Sequence, residues 1–171
     1  ISTGYNNILI GSDNGKSIIS GYNNIFIGSN SGSTLTDKYD NIFIGGESGT
    51  INNGYDNLFI GYNSGRLNTT SRTISLGKDS GYFVSGENNI FWGNLTGGSS
   101  SDKTSGTSNL LIGYKTGYSL TTGFNNVIVG SGIPSTGTGR NITTGSNNVM
   151  FGHLTGSRLT TGNDNTMLGI N

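Results

Sequence analysis

The stretch Asn23-Asn24-Ile25-Phe26-Ile27-Gly28 decides how the rest of the chain is read. Three apolar, strand-favouring residues stand between Asn and Gly, and three are too few for a helical stripe. Variants of the stretch occur ten times, ending at Gly11, Gly28, Gly45, Gly61, Gly77, Gly93, Gly113, Gly130, Gly152 and Gly169. The intervals are 17, 17, 16, 16, 16, 20, 17, 22 and 17 residues. A period in this range is the signature of a solenoid, in which each repeat is one coil that cannot stand alone.

Outward from the triplet, eight of the ten copies continue into a Gly-x-x-x-Gly turn, as from Gly28 to Gly32 or from Gly113 to Gly117. Glycines at fixed offsets mark positive φ or close backbone approach, where a Cβ would clash. The residue before the second Gly is usually Ser or Thr, expected to bond locally to the backbone. A weaker strand follows, such as Tyr118-Ser119-Leu120-Thr121-Thr122 or Ser157-Arg158-Leu159-Thr160-Thr161. The expected fold is therefore all-β: a parallel β-solenoid (β-roll) of about ten short coils, two strands per coil, forming one domain over residues 1–171. Coils stacked as parallel strands would give a rod of about 45–50 Å. Ordering a residue costs about 1–2 kcal/mol and a buried aliphatic returns about 1.5–3, so the stability of a coil comes from its neighbours.

Side chains alternate across a strand. Placing Ile25 and Ile27 inside the coil turns the middle row outward: Leu9, Phe26, Phe43, Phe59, Ser75, Phe91, Leu111, Ile128, Met150 and Met167. Nine of these ten are apolar, and an exposed stripe of that length is a self-association surface. The reading expects three copies to pack their stripes together along the rod. Before the triplets runs a row of Asn7, Asn24, Asn41, Asn57, Asn89, Asn109, Asn126, Asn148 and Asn165, interrupted only by Thr73. Stacked Asn side chains hydrogen-bond along such a ladder, and Asn tolerates left-handed corners. Tyr5, Tyr22, Tyr39 and Tyr55 share one corner, with Phe124 at the same place later. Such rings can stack on one another or on sugars, and mutual stacking is the favoured reading.

Composition narrows the function. Gly supplies 31 of 171 residues, far above the usual share of about 7%, but in register rather than scattered as in a disordered tract. Nine basic and nine acidic residues cancel, with no basic patch for nucleic acid. No apolar run approaches a membrane span of about 18 residues. There is no cysteine, hence no disulfide or thiolate metal site. The chain opens and closes within repeats, which reads as a segment of a longer fibre protein.

No catalytic, cofactor-binding or metal-binding residue is expected. The single His153 sits in a variable turn position, and no nucleophile set is recognisable. Asp40, Asp56 and Arg72 fall at one position of successive coils and predict a surface charge ladder. Two coils are longer. Their loops, 97–106 with Asp102 and Lys103, and 130–140 with Pro134 and Arg140, are the candidate contact loops.

The run from Gly113 through Tyr114-Lys115-Thr116-Gly117 to Asn125-Asn126 resembles the Gly/Asn-rich repeats of phage tail-fibre-like and bacterial surface proteins. More distantly, Asn24-Ile25-Phe26-Ile27-Gly28 is similar to head repeats of trimeric autotransporter adhesins. Two positions depart from those patterns: Ser or Thr stands where Ala precedes the second turn Gly, and Phe often replaces a small middle residue. The resemblance implies an extracellular, trimeric, β-structured fibre used for attachment at a cell or virion surface. The expected partners are further copies of the chain and a cell-surface glycan or receptor. The alternatives are a self-assembling extracellular filament, and a carbohydrate-binding or carbohydrate-active β-helix.

Overall fold

The computed structural model describes residues 2–98, 104–132 and 137–170. Ten three-residue strands form one parallel sheet in chain order: β1 (Ile8–Ile10), β2 (Ile25–Ile27), β3 (Ile42–Ile44), β4 (Leu58–Ile60), β5 (Ile74–Leu76), β6 (Ile90–Trp92), β7 (Leu110–Ile112), β8 (Val127–Val129), β9 (Val149–Phe151) and β10 (Thr166–Leu168). The chain winds through nine turns between them. Register is one to one throughout, so Ile25, Phe26 and Ile27 lie over Ile42, Phe43 and Ile44. Each side-chain position thereby becomes a column along the rod.

The structure reverses the expected inside and outside. The middle row is the core: Phe26, Phe43, Phe59, Phe91, Leu111, Ile128 and Met150 are each 0% exposed. Leu9 and Met167, in the terminal strands, pack against the same core. The self-association stripe predicted from this row is therefore not on the surface. The physical reason is width. A triplet between two corners can turn only one side chain inward, and a Phe ring reaches the opposite wall. The second turn glycine makes room for it: at Gly32 (φ +56°) a Cβ would lie 2.6 Å from the Phe26 ring. The strand-end glycine has another duty. At Gly28 (φ +142°) a Cβ would lie 2.5 Å from the Gly45 carbonyl oxygen of the next coil. Phe26, Phe43 and Phe59 stack with centroids 4.9 and 4.8 Å apart.

The second strand of each coil is not formed as a ladder. Among the described residues the only bridges outside the ten strands are isolated, Tyr22 with Tyr39 at the corner and Val84 with Thr104 on the far wall. Single backbone bonds stack it instead, such as Ile19 N–H to Thr36 C=O at 2.8 Å and Leu67 N–H to Tyr82 C=O at 2.8 Å. This wall supplies Ile18, Leu35, Val84, Leu120 and Ile142 to the core, while the coils of β3 and β4 bury Asn52 and Asn68 at the same place.

Buried polar columns hold the corners. Asn24 donates from its backbone N–H and its Nδ2 to Asn7 Oδ1, both at 3.0 Å, and Nδ2 also reaches Lys38 C=O at 2.9 Å. The pattern repeats through Asn41 and Asn57, and again from Asn89 to Asn165. The left-handed residue falls one position earlier than the ladder: Asn6, Asn23, Asp40 and Asp56 have φ of 53–56°. The Ser and Thr before the second glycine bond across coils, and Thr116 and Thr155 also bond locally, to Ile112 C=O and Phe151 C=O, both at 3.3 Å. Ser31 Oγ donates to Phe43 C=O at 3.2 Å and Thr155 Oγ1 to Gly169 C=O at 2.7 Å.

The coil of β5 departs from this plan at three positions. Ser71 replaces the corner Tyr, Thr73 the ladder Asn and Ser75 the core Phe. Thr73 Oγ1 and Ser75 Oγ are buried and find no protein hydrogen-bond partner, nor does the neighbouring Asn68 Nδ2. The buried apolar residues divide here into two clusters, one built on Phe26, Phe43 and Phe59, the other running from Val84 and Phe91 to Met150.

Candidate functional site

With the middle row inside, the first and third strand positions face out. They form two columns: Ile8, Ile25, Ile42, Leu58, Ile74, Ile90, Leu110, Val127, Val149 and Thr166, beside Ile10, Ile27, Ile44, Ile60, Leu76, Trp92, Ile112, Val129, Phe151 and Leu168. Nineteen of these twenty residues are apolar. All are half-buried or exposed, with Ile60 at 39% and Trp92 at 58%. Isolated surface hydrophobics are ordinary, but a continuous apolar wall along ten strands is not. The outward wall thus takes the place the sequence reading gave to the Phe row. Its signal was present in the sequence: a glycine that cannot carry a Cβ beside the ring places the ring inside.

The corner tyrosines stack on one another. Tyr5, Tyr22, Tyr39 and Tyr55 are 5.0, 4.9 and 5.0 Å apart with interplanar angles of 3°, 4° and 14°. Their inner faces are therefore taken, and only edges, hydroxyls and the free face of Tyr5 are open to a ligand. Burial, reinforced by the neighbouring Tyr39 and Tyr5, raises the Tyr22 hydroxyl above its ordinary value.

The predicted charge ladder is only partly assembled. Asp40 accepts from Asn23 Nδ2 at 2.9 Å. Arg72 pairs with Glu87, donates to Asn88 Oδ1 at 3.0 Å and to Tyr55 Oη at 3.2 Å, and lies over the Tyr55 ring. Among the described residues no group of three or more His, Cys, Asp or Glu side chains is placed to hold a metal ion. Of the four loop contacts, Asp102, Lys103 and Pro134 lie outside the described residues. Arg140 lies within them, its guanidinium 5.1 Å from the Tyr118 centroid. No described helix is long and apolar enough to cross a membrane.

No family model matches the chain, and neither a curated protein nor a solved structure matches it.

Proposed function

We propose that the chain is a structural segment of an extracellular or virion-surface fibre, acting in attachment or as a shaft, whose copies associate side by side through the outward sheet face. The single observation behind this reading is the two-column apolar wall, nineteen of twenty residues over ten strands. The occupant that suits it best is a second copy. Its columns carry the same step of about 4.8 Å and the same ten-strand length, so side chains interdigitate without a change of register. The wall is narrow, with one apolar column at each side. The Ile25 column of one copy can meet the Ile27 column of the next, and this head-to-tail contact closes into a ring at three copies.

Light scattering and the quenching of Trp92 test the proposal together. Trp92 is the only tryptophan and stands on the wall. The expected mass is about three times the 17.8 kDa chain, with Trp92 emission shielded from acrylamide. A 17.8 kDa species with freely quenched Trp92 overturns the proposal. Very large, heterogeneous species would transfer support to the end-to-end filament.

A further inference from the structure

One column on the far wall has an interrupted pattern. The residue after the second turn glycine is Arg66, Tyr82, Gly98, Tyr118 and Arg140 in five successive coils. Backbone bonds stack these coils directly, from Gly65 N–H to Ser80 C=O, Gly81 to Thr96, Gly97 to Thr116 and Gly117 to Thr138. The Arg66 guanidinium lies 5.7 Å from the Tyr82 centroid and donates to its hydroxyl at 2.5 Å. From the other end Arg140 lies over Tyr118, and Lys115 of Tyr118's own coil stands 5.7 Å from the same centroid. Each ring thus has a cation beside it from the coil beyond, and among the described residues the column position between the two rings is Gly98. There a cavity of about 240 Å³ opens, lined by Asn63, Asp79, Tyr82, Leu95, Gly98 and Tyr118.

We propose that this cavity binds one pyranose ring of a neutral saccharide. Three features select that chemistry. The first is spacing. Stacked rings in this molecule are 4.8–5.0 Å apart per coil, so Tyr82 and Tyr118, two coils apart, stand at column positions about 10 Å from each other. A flat ring at carbon contact distance, roughly 3.5–4.0 Å from each face, would leave the slot loose, whereas a puckered ring with axial hydrogens fills it. The second is size: the volume lies below the range of about 300–1,000 Å³ that suits drug-sized ligands, which points to a single ring. The third is polarity. Asp79 Oδ1 accepts from Asn63 Nδ2 at 3.0 Å, while Asn63 Oδ1 is buried without a hydrogen-bond partner. Asp79 Oδ2 also lies 3.7 Å from Lys78 Nζ, and the paired carboxylate together with the spare amide oxygen suits the hydroxyl donors of a neutral sugar. The inference goes beyond the fibre reading and does not depend on self-association, since the site belongs to one copy and to the far wall.

The test screens maltotriose, cellotriose, mannotriose and chitotriose by saturation-transfer NMR, with adenosine as the flat-ring probe, followed by titration. At least one trisaccharide is expected to bind saturably. Tyr82→Ala and Tyr118→Ala should each weaken it at least tenfold, Tyr82→Phe less than threefold, and Tyr5→Ala, in the separate stack, not at all. Should an alanine variant lose its folded circular dichroism, Asp79→Asn carries the test with an expected loss of at least threefold. The proposal is overturned if no trisaccharide binds, if binding survives undiminished in the folded site variants, or if adenosine binds more tightly than every sugar.

Discussion

The Asn41 side chain serves three coils at once. Its Oδ1 accepts from the Asn57 backbone N–H and Nδ2, at 3.2 and 3.1 Å, and its own Nδ2 reaches Asn24 Oδ1 at 3.3 Å and Gly54 C=O at 3.1 Å. Replacing it by Ala strands buried partners above and below, each costing about 1–3 kcal/mol, with incomplete additivity. Asn41→Ala should therefore destabilise by about 3 kcal/mol or more, read as a lower midpoint in urea unfolding. The exposed Asn53→Ala, at a position without positive φ, should change it by under about 1 kcal/mol. The tyrosine stack gives a second expectation at this scale. Because the Tyr22 pKa is raised in the folded state, the fold holds that proton more tightly than the unfolded chain does. The stack's contribution is complete below tyrosine's ordinary value near 10 and falls as pH rises through the higher folded value. Stability should drop above about pH 10, and Tyr22→Phe should flatten that drop in a pH series of unfolding midpoints.

At the scale of the coil, much was legible. Glycine spacing set the repeat, the Asn-to-Gly frame marked every strand but β5, and the regular asparagines announced their ladder. Two features were not. Alternation fixes which residues share a face but not which face is inside, and both the Phe26 row and the Ile25/Ile27 rows are apolar enough to be core. Length and Gly32 resolve it, since a triplet between corners admits one inward residue and the glycine admits the ring. The second wall misled for a related reason. Thr-rich runs such as Thr160-Thr161 have strand propensity, but stacking by single bonds replaces a ladder there. The β5 coil was visible as an exception, and its cost becomes clear only with Ser75 inside. Ser75→Phe restores the ring column between Phe59 and Phe91 and removes an unpartnered buried hydroxyl. In the coil of β2, a Phe already shares the core with Leu35, a larger neighbour than Val84. The substitution should stabilise by about 2 kcal/mol, measured as a higher urea midpoint.

At the scale of the whole molecule, the outward wall is the dominant unpartnered surface. Charges placed on it should act on association rather than folding. Ile44→Asp with Leu110→Asp should bring the light-scattering mass down to the single 17.8 kDa chain, expose Trp92 to acrylamide, and leave the far-ultraviolet spectrum nearly unchanged. The matching pair inside, Phe43→Asp with Leu111→Asp, should abolish folding, because both side chains are 0% exposed. The candidate site was less legible than the fold. Tyr82 and Tyr118 lie 36 residues apart in a chain with eight tyrosines, and only coil-by-coil stacking brings them to either side of Gly98.

The β5 coil also has a mechanical meaning. In a stacked array, a pull along the axis is carried in series by every interface between coils, and the weakest one yields first. Ring stacking, the asparagine ladder and core contact all lapse in the same coil, so the three kinds of resistance fail together there rather than at scattered places. Stretched from its ends, the rod should part in the middle, in two force steps instead of one. The block around Phe26 to Phe59 and the block from Phe91 onward would each stay wound after the first step. A tether built this way sheds load by opening at one fixed place and closes again from two intact templates.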